Sequence, residues 1–102
     1  MEQKTTIKLE EDLIKDVFLP SQIRVLEQIL KGTTKGKDIA QALGISPYTV
    51  RNILYDSTGG AGGERSRMGI STKMDQLLGR KVERTGWALA LITLGLAKVV
   101  RE

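Results

Sequence analysis

Four polar side chains able to recognise another molecule lie on one side of a short predicted helix: Tyr48, Thr49, Arg51 and Asn52. The helix is predicted from Ser46, a good N-cap, to Tyr55, and its opposite side is apolar. An arginine guanidinium can donate two hydrogen bonds to a guanine edge, and an asparagine amide can pair in the same way with adenine. The alternative is that these side chains are solvated or contact only phosphate.

The residues before this helix have the types that a helix-turn-helix requires. A first helix is predicted over about 37–43, and Gly44 ends it. Ala40 is small enough for close contact between the helices, Gly44 tolerates a left-handed backbone, and Val50 supplies an apolar anchor in the second helix. These residues predict a helix-turn-helix, with a plain helical hairpin as the alternative.

Three residues at the start of the first helix are candidates for holding a phosphate: Thr34, Lys35 and Lys37. The N-terminus of a helix presents free backbone N–H groups and a partial positive charge, both of which favour an anion. For each lysine, a solvated surface position is the alternative.

Composition favours one small helical domain that is not an enzyme. The 102 residues are 40% hydrophobic but only 4% aromatic, and they include no cysteine and no histidine. Without these two residue types there are no disulfides, thiol nucleophiles or imidazole bases, and zinc sites are nearly excluded. We therefore expect an all-α or mostly α protein with no catalytic residues, no metal and no cofactor.

The charge is uneven along the chain. The first 19 residues hold three lysines and five acids, whereas the remainder holds thirteen lysines and arginines and seven acids. A basic body favours a polyanionic partner, although an ordinary solvated basic surface is the alternative. No signal peptide is visible, and the longest apolar run, Trp87 to Ala97, is about half of a membrane span. A cytoplasmic location without membrane contact is the expectation.

Four further segments have helical patterns. Residues 1–17 are predicted as a short arm with an amphipathic helix that begins near Thr6. Helices are then predicted from Pro20 to a stop at Gly32, and over about 68–78. The last helix, from about Gly86 to Val100, is apolar on nearly every side, so part of it is expected to contact a second subunit. Gly95 within it suggests a close helix approach, with a fraying helix end as the alternative.

Trp87 begins the apolar part of this last helix. It is a candidate for stacking on a nucleic-acid base, but a tryptophan beside an apolar helix more often packs in the core. We predict packing.

Several of these segments together resemble a known family: "FLPSQIRVLEQILKG", "KDIAQALGISPYTVRN", "ISTKMDQLLG" and "ERTGWALALITLGLA". In this order they look like the LuxR-type (NarL/FixJ-like) DNA-binding domain of bacterial transcription regulators. The resemblance covers about Phe18 to Val100. It implies a helix-turn-helix bundle of four to five helices over 18–102, of the DNA/RNA-binding three-helical-bundle type, with a C-terminal dimerisation helix.

The sequence departs from the family pattern at three places. Gln22 stands where the family usually has Glu, and "GTTKGK" holds one extra residue. The largest departure is the Gly-rich stretch "YDSTGGAGGERSRM", about 55–68, which interrupts the recognition helix. It lacks the spacing of a P-loop and of a dinucleotide fingerprint. We read it as an insertion whose Arg65 and Arg67 reach the flanking backbone or minor groove of DNA, with a simple spacer as the alternative.

The resulting expectation is a sequence-specific transcription regulator that binds double-stranded DNA as a homodimer through about Trp87 to Val100. The candidate DNA-binding residues are Thr34, Lys35, Lys37, Ser46, Tyr48, Thr49, Arg51, Asn52, Arg65 and Arg67. One alternative is a helical adaptor that binds protein through the apolar C-terminal helix. A third possibility is an architectural or single-strand nucleic-acid binder.

Overall fold

The computed structural model describes residues 5–55, 57–58 and 66–101, with only the backbone described for Thr5 and for the four residues at 57, 58, 66 and 67. Within these ranges the chain is mostly helical, with two small sheets. The elements are β1 (Thr5–Leu9), α1 (Glu11–Ile14), α2 (Pro20–Leu30), α3 (Gly36–Leu43), α4 (Pro47–Leu54), β2 (Ser57–Thr58), β3 (Ser66–Arg67), α5 (Ile70–Leu78), a 3-10 turn (Arg84–Gly86), α6 (Trp87–Thr93) and β4 (Ala97–Arg101).

The two ends of the described chain pair as an antiparallel sheet. β1 pairs with β4 in a register that runs from Thr5 opposite Arg101 to Leu9 opposite Ala97. The all-α prediction is therefore wrong at both ends, and the arm helix predicted from Thr6 is wrong because residues 5–9 form a strand. Only the four-residue α1 remains of that helix, and it buries Ile14 in the core.

The last helix is half as long as predicted. α6 ends at Thr93 because Gly95 adopts a left-handed backbone with φ +76°. Behind it, the Leu96 N–H donates to the Leu91 carbonyl at 2.9 Å and satisfies one of the last carbonyls of the helix. Gly95 therefore ends the helix and does not mark a close approach within it, so the prediction of one continuous helix over about 86–100 is wrong.

The core lies where α2 to α6 meet. Each helix contributes side chains with almost no exposed surface, and these are Val25, Leu26, Ile39, Val50, Leu54, Ile70, Met74, Trp87 and Leu91. Trp87 is 2% exposed, and its indole N–H donates to the Val82 carbonyl at 3.3 Å. The prediction that this tryptophan packs in the core is confirmed.

Gln22 is the one buried polar side chain in the part of the chain that the structure describes. Its Oε1 accepts from the Leu19 N–H at 3.0 Å and from Lys73 Nζ at 2.8 Å, while its Nε2 donates to the Met68 carbonyl at 2.9 Å. Burial lowers the pKa of the Lys73 ammonium, which also lies 5.5 Å from the centre of the Phe18 ring. The amide thus joins the start of α2 to α5 and to the residue that follows β3.

The ends of the Gly-rich stretch form a second antiparallel pair. Ser57 lies opposite Arg67, and Thr58 lies opposite Ser66. Residues 59–65 lie outside the described part of the chain. α4 ends at Leu54 because Tyr55 is extended, with φ −119° and ψ 166°, so the predicted recognition helix stops before this stretch.

Gly69 packs against the end of α4 more closely than any side chain would allow. A Cβ added to Gly69 would lie 2.5 Å from both the Cα and the carbonyl oxygen of Tyr55. These are backbone atoms, which cannot move aside without displacing the end of α4. Gly86 offers a comparison, since a Cβ there would be 3.5 Å from Val82 Cγ1, an ordinary contact.

We predict that Gly69→Ala lowers the free energy of unfolding by about 3 kcal/mol, because the added methyl overpacks a rigid contact. Urea denaturation measures the change. Gly86→Ala is the matched control and should stay within about 0.5 kcal/mol of the wild type. Equal stability of the two variants would contradict the close approach at Tyr55.

Candidate nucleic-acid interface

A tight turn at Gly44 joins α3 to α4. Gly44 has a left-handed backbone, with φ 69° and ψ 32°, and the Ile45 N–H donates to the Ala40 carbonyl at 3.0 Å. Ala40 and Val50 are buried between the helices, at 3% and 0% exposed. Gly44 thus has the left-handed backbone, and Ala40 and Val50 have the burial, that their residue types predicted.

Ser46 caps the N-terminus of α4. Its Oγ accepts from the Thr49 N–H at 3.1 Å and lies 2.8 Å from Thr49 Oγ1, while Pro47 occupies the first helical position. Ser46 Oγ therefore already makes two hydrogen bonds, and Thr49 Oγ1 makes one. Their assigned role as DNA contacts is limited to the hydrogen-bonding capacity that remains.

The solvent side of α4 carries the remaining recognition candidates. Tyr48 is 73% exposed, Arg51 is exposed and Asn52 is partly buried. Val50 and Leu54 face the core from the same helix, so the candidates lie on the side that sequence analysis assigned to them. No hydrogen bond or ion pair joins the Arg51 or Asn52 side chain to another residue within the described ranges. Their donors are available to a ligand.

The candidates at the start of α3 lie close to one another in the chain but differ in exposure. Lys35 and Lys37 are exposed, and Lys35 is the N-cap without a side-chain hydrogen bond to the helix. Thr34 is half-buried, and its carbonyl accepts a hydrogen bond from Arg84. The two ammonium groups and the first N–H groups of α3 form the local positive charge that was predicted to attract a phosphate.

Arg84 is a residue of this region to which sequence analysis gave no role. Its Nη1 donates to the Thr34 carbonyl at 2.7 Å, and its Nη2 donates to the Tyr55 hydroxyl at 2.7 Å. The guanidinium carbon also lies 5.9 Å from the centre of the Tyr55 ring. One side chain thus ties the residues before α3 to the residue that ends α4, and it sets the spacing between the two groups of candidates.

Two candidates cannot be placed by their side chains. Arg65 lies outside the described residues, and Arg67 is described only as the backbone that pairs with Ser57. Their proposed contacts with DNA stay predictions. The β2–β3 pair does locate the stretch next to the end of α4, because only Tyr55 and one further residue separate α4 from β2.

Two further properties concern metals and membranes. Within 5–55 and 66–101, no three acidic, cysteine or histidine side chains are grouped as metal ligands would be. None of the helices in the same ranges is long and apolar enough to cross a membrane.

Comparison with protein families, curated proteins and solved structures found no match to this chain. The site is therefore interpreted from its own residues and from the sequence resemblance described above.

We predict that Arg84→Ala and Tyr55→Phe are coupled. Removing the guanidinium should cost about 2 kcal/mol of stability, and removing the hydroxyl about 1 kcal/mol, because each change breaks a charge-assisted hydrogen bond. The double variant should be about 1 kcal/mol more stable than the sum of the two losses implies.

Chemical denaturation of the four proteins measures this coupling. Tyr48→Phe is the control partner, because Tyr48 is exposed on α4 and its hydroxyl makes no hydrogen bond to another described residue. Its combination with Arg84→Ala should be additive within about 0.3 kcal/mol. Additivity of the Tyr55 pair as well would contradict the link between Arg84 and α4.

Proposed function

We propose that the protein is a sequence-specific DNA-binding transcription regulator that places α4 in the major groove. In this proposal α3 and α4 are the helix-turn-helix of a LuxR-like domain, and α4 is its recognition helix. The observation that carries the proposal is the combination of the tight turn at Gly44 with a solvent side of α4 whose Arg51 and Asn52 have no partner within the described residues.

Contacts to bases are assigned to the first two turns of α4. Arg51 would donate to the O6 and N7 of guanine, and Asn52 would pair with adenine, because these side chains have matching donors and acceptors. Tyr48 and Thr49 would contact the neighbouring base edges or phosphates. Ser46 would contribute mainly through the N-terminus of the helix that it caps.

Contacts to the DNA backbone are assigned to residues near the start of α3. Lys35 and Lys37 would neutralise phosphates beside the groove, and Thr34 would lie at the same contact. Arg84 would act indirectly, since its two hydrogen bonds hold this region at a constant distance from the end of α4. Arg65 and Arg67 would reach DNA on the flank of α4, next to which β2 and β3 lie.

The adaptor alternative depended on a continuous apolar C-terminal helix. α6 buries Trp87, Ala90 and Leu91 and ends at Thr93, which leaves Leu89 as its large exposed apolar side chain. One exposed leucine is ordinary on a protein surface and does not require a partner. We therefore retain DNA binding as the proposal. For the homodimer expected through the segment Trp87 to Val100, the same burial disfavours α6 and leaves β4 as the contact.

A salt titration of duplex binding tests the function. We predict that the protein binds mixed-sequence duplex at low salt, and that its affinity falls by about a thousandfold between roughly 50 and 200 mM salt. This steep dependence is expected if about six phosphates are neutralised in the dimer. Fluorescence anisotropy of a labelled duplex measures it. Absence of binding even at the lowest salt would overturn the proposal.

Two single variants separate base contacts from phosphate contacts. Arg51→Ala should relax the base preference at one position by about 1–3 kcal/mol, because a guanine contact is lost. Lys35→Ala should weaken all duplexes alike and reduce the salt slope by about two, because each protomer of the dimer loses one phosphate contact. Binding to a duplex pool selected on the wild type measures both.

Lys8→Ala is the matched control for charge, because Lys8 is exposed on β1, outside the candidate DNA-binding residues. It removes one positive charge from each protomer. It should change the base preference less than Arg51→Ala does and the salt slope less than Lys35→Ala does. Identical profiles for Arg51→Ala and Lys35→Ala would contradict the separate roles.

A further inference from the structure

β4 has one paired edge and one open edge. The sheet of β1 and β4 has two strands within the described residues, so β1 pairs with one edge of β4 and no strand pairs with the other. An open strand edge is a template for a further strand. The open edge of β4 is therefore a candidate interaction surface.

The ladder defines which backbone groups this edge presents. The Glu10 N–H donates to the Leu96 carbonyl at 2.8 Å, so these two residues form a hydrogen-bonded pair. In an antiparallel ladder every second pair is of this kind, so the next ones are Lys8 with Lys98 and Thr6 with Val100. Lys98 and Val100 then direct their backbone groups towards β1. Ala97, Val99 and Arg101 direct their N–H and carbonyl groups away from it.

The side chains along this edge change from buried to exposed. Ala97 is 5% exposed, whereas Val99 is 50% exposed and Lys98 and Arg101 are also exposed. A half-exposed valine at the middle of an open strand suits a cross-strand apolar pair. It also lies opposite Ile7, which packs against the core, so the apolar side of the sheet continues to Val99.

The order of residues in β4 is self-complementary about Val99. If a second β4 runs antiparallel to the first about a two-fold axis at Val99, then Val99 faces the partner's Val99 and Ala97 faces the partner's Arg101. Lys98 then faces the partner's Val100. No like charges lie directly opposite each other in this register, which avoids a destabilising pair.

This register also uses every outward backbone group of the strand. Val99, Ala97 and Arg101 are the residues of the hydrogen-bonded pairs that it creates, which gives roughly six backbone hydrogen bonds. A register centred on Lys98 would place the two Lys98 side chains directly opposite each other, which is a destabilising like-charge pair. A register centred on Arg101 would bring two arginines together.

We propose that a second copy of this chain pairs with the open edge of β4, antiparallel and centred on Val99. The product is a four-stranded sheet in the order β1, β4, β4 of the partner, β1 of the partner. The interface is isologous and closed, as a two-fold dimer requires. The proposal locates the homodimer proposed above in a strand, and it does not depend on DNA binding.

Sedimentation velocity without DNA tests the dimer. The wild type should sediment as a dimer that dissociates on dilution. Val99→Lys places two ammonium groups opposite each other at the two-fold axis and should raise the dissociation constant at least about tenfold. Leu77→Lys is the matched control, because Leu77 is 42% exposed on α5, and it should remain dimeric. A monomeric wild type at high concentration, or an undiminished dimer in Val99→Lys, would overturn the proposal.

Oxidative cross-linking tests the register with a substitution that changes the strand less than Val99→Lys does. The chain contains no cysteine, so Val99→Cys introduces a single thiol. Residues opposite each other in a hydrogen-bonded antiparallel pair have Cα atoms about 5.5 Å apart, within the range of a disulfide. Val99→Cys should form covalent dimers rapidly, whereas Leu77→Cys should not.

Equal cross-linking rates for the two cysteine variants would exclude pairing at Val99 even if a dimer is present. Because no DNA enters either measurement, failure of this proposal is distinguishable from failure of the DNA-binding proposal. A protein that binds duplex but remains monomeric retains the function and loses the β4 interface. A dimer that binds no duplex retains the β4 interface and loses the proposed function.

Discussion

The buried amide of Gln22 is the interaction on which the arrangement of the other elements depends. It satisfies the Leu19 N–H before α2, the carbonyl of Met68 after β3 and the ammonium of Lys73 on α5. Without the amide, the partly buried Leu19 N–H and Met68 carbonyl would lose these hydrogen bonds, at a cost of about 1 kcal/mol each. Met68 lies between β3 and α5, so this amide holds the start of α5 against α2.

The positions of Gly69 and Arg84 follow from this placement of Met68. Gly69 comes directly after Met68, and the absence of a side chain lets the backbone lie against Tyr55. α5 then runs across α4 and leads to the turn that carries Arg84, which reaches back to Thr34 and Tyr55. The proposed recognition helix is therefore held at both ends, by the turn at Gly44 and by contacts at Tyr55. A helix that is held in this way can present Arg51 and Asn52 to a groove without first becoming ordered.

Local signals predicted the middle of the chain well. The predicted helix over about 37–43 is α3, Gly36–Leu43, and the predicted helix from Ser46 to Tyr55 is α4, Pro47–Leu54. Capping residues and glycines act within one turn of their own position, so sequence alone is sufficient there. The roles of Ala40, Gly44 and Val50 could be assigned for the same reason. Arg84 could not, because its partners are 50 and 29 residues away in the chain.

By itself, the sequence determined the helices α2 to α5, the turn between α3 and α4, and the burial of Trp87. Only the tertiary structure decided that Thr5–Leu9 and Ala97–Arg101 are strands. Both segments have apolar residues that also fit a helical pattern, and a strand has no hydrogen-bond partners until another strand lies beside it. Those partners lie at the opposite end of the chain, so no pattern within either segment indicates them.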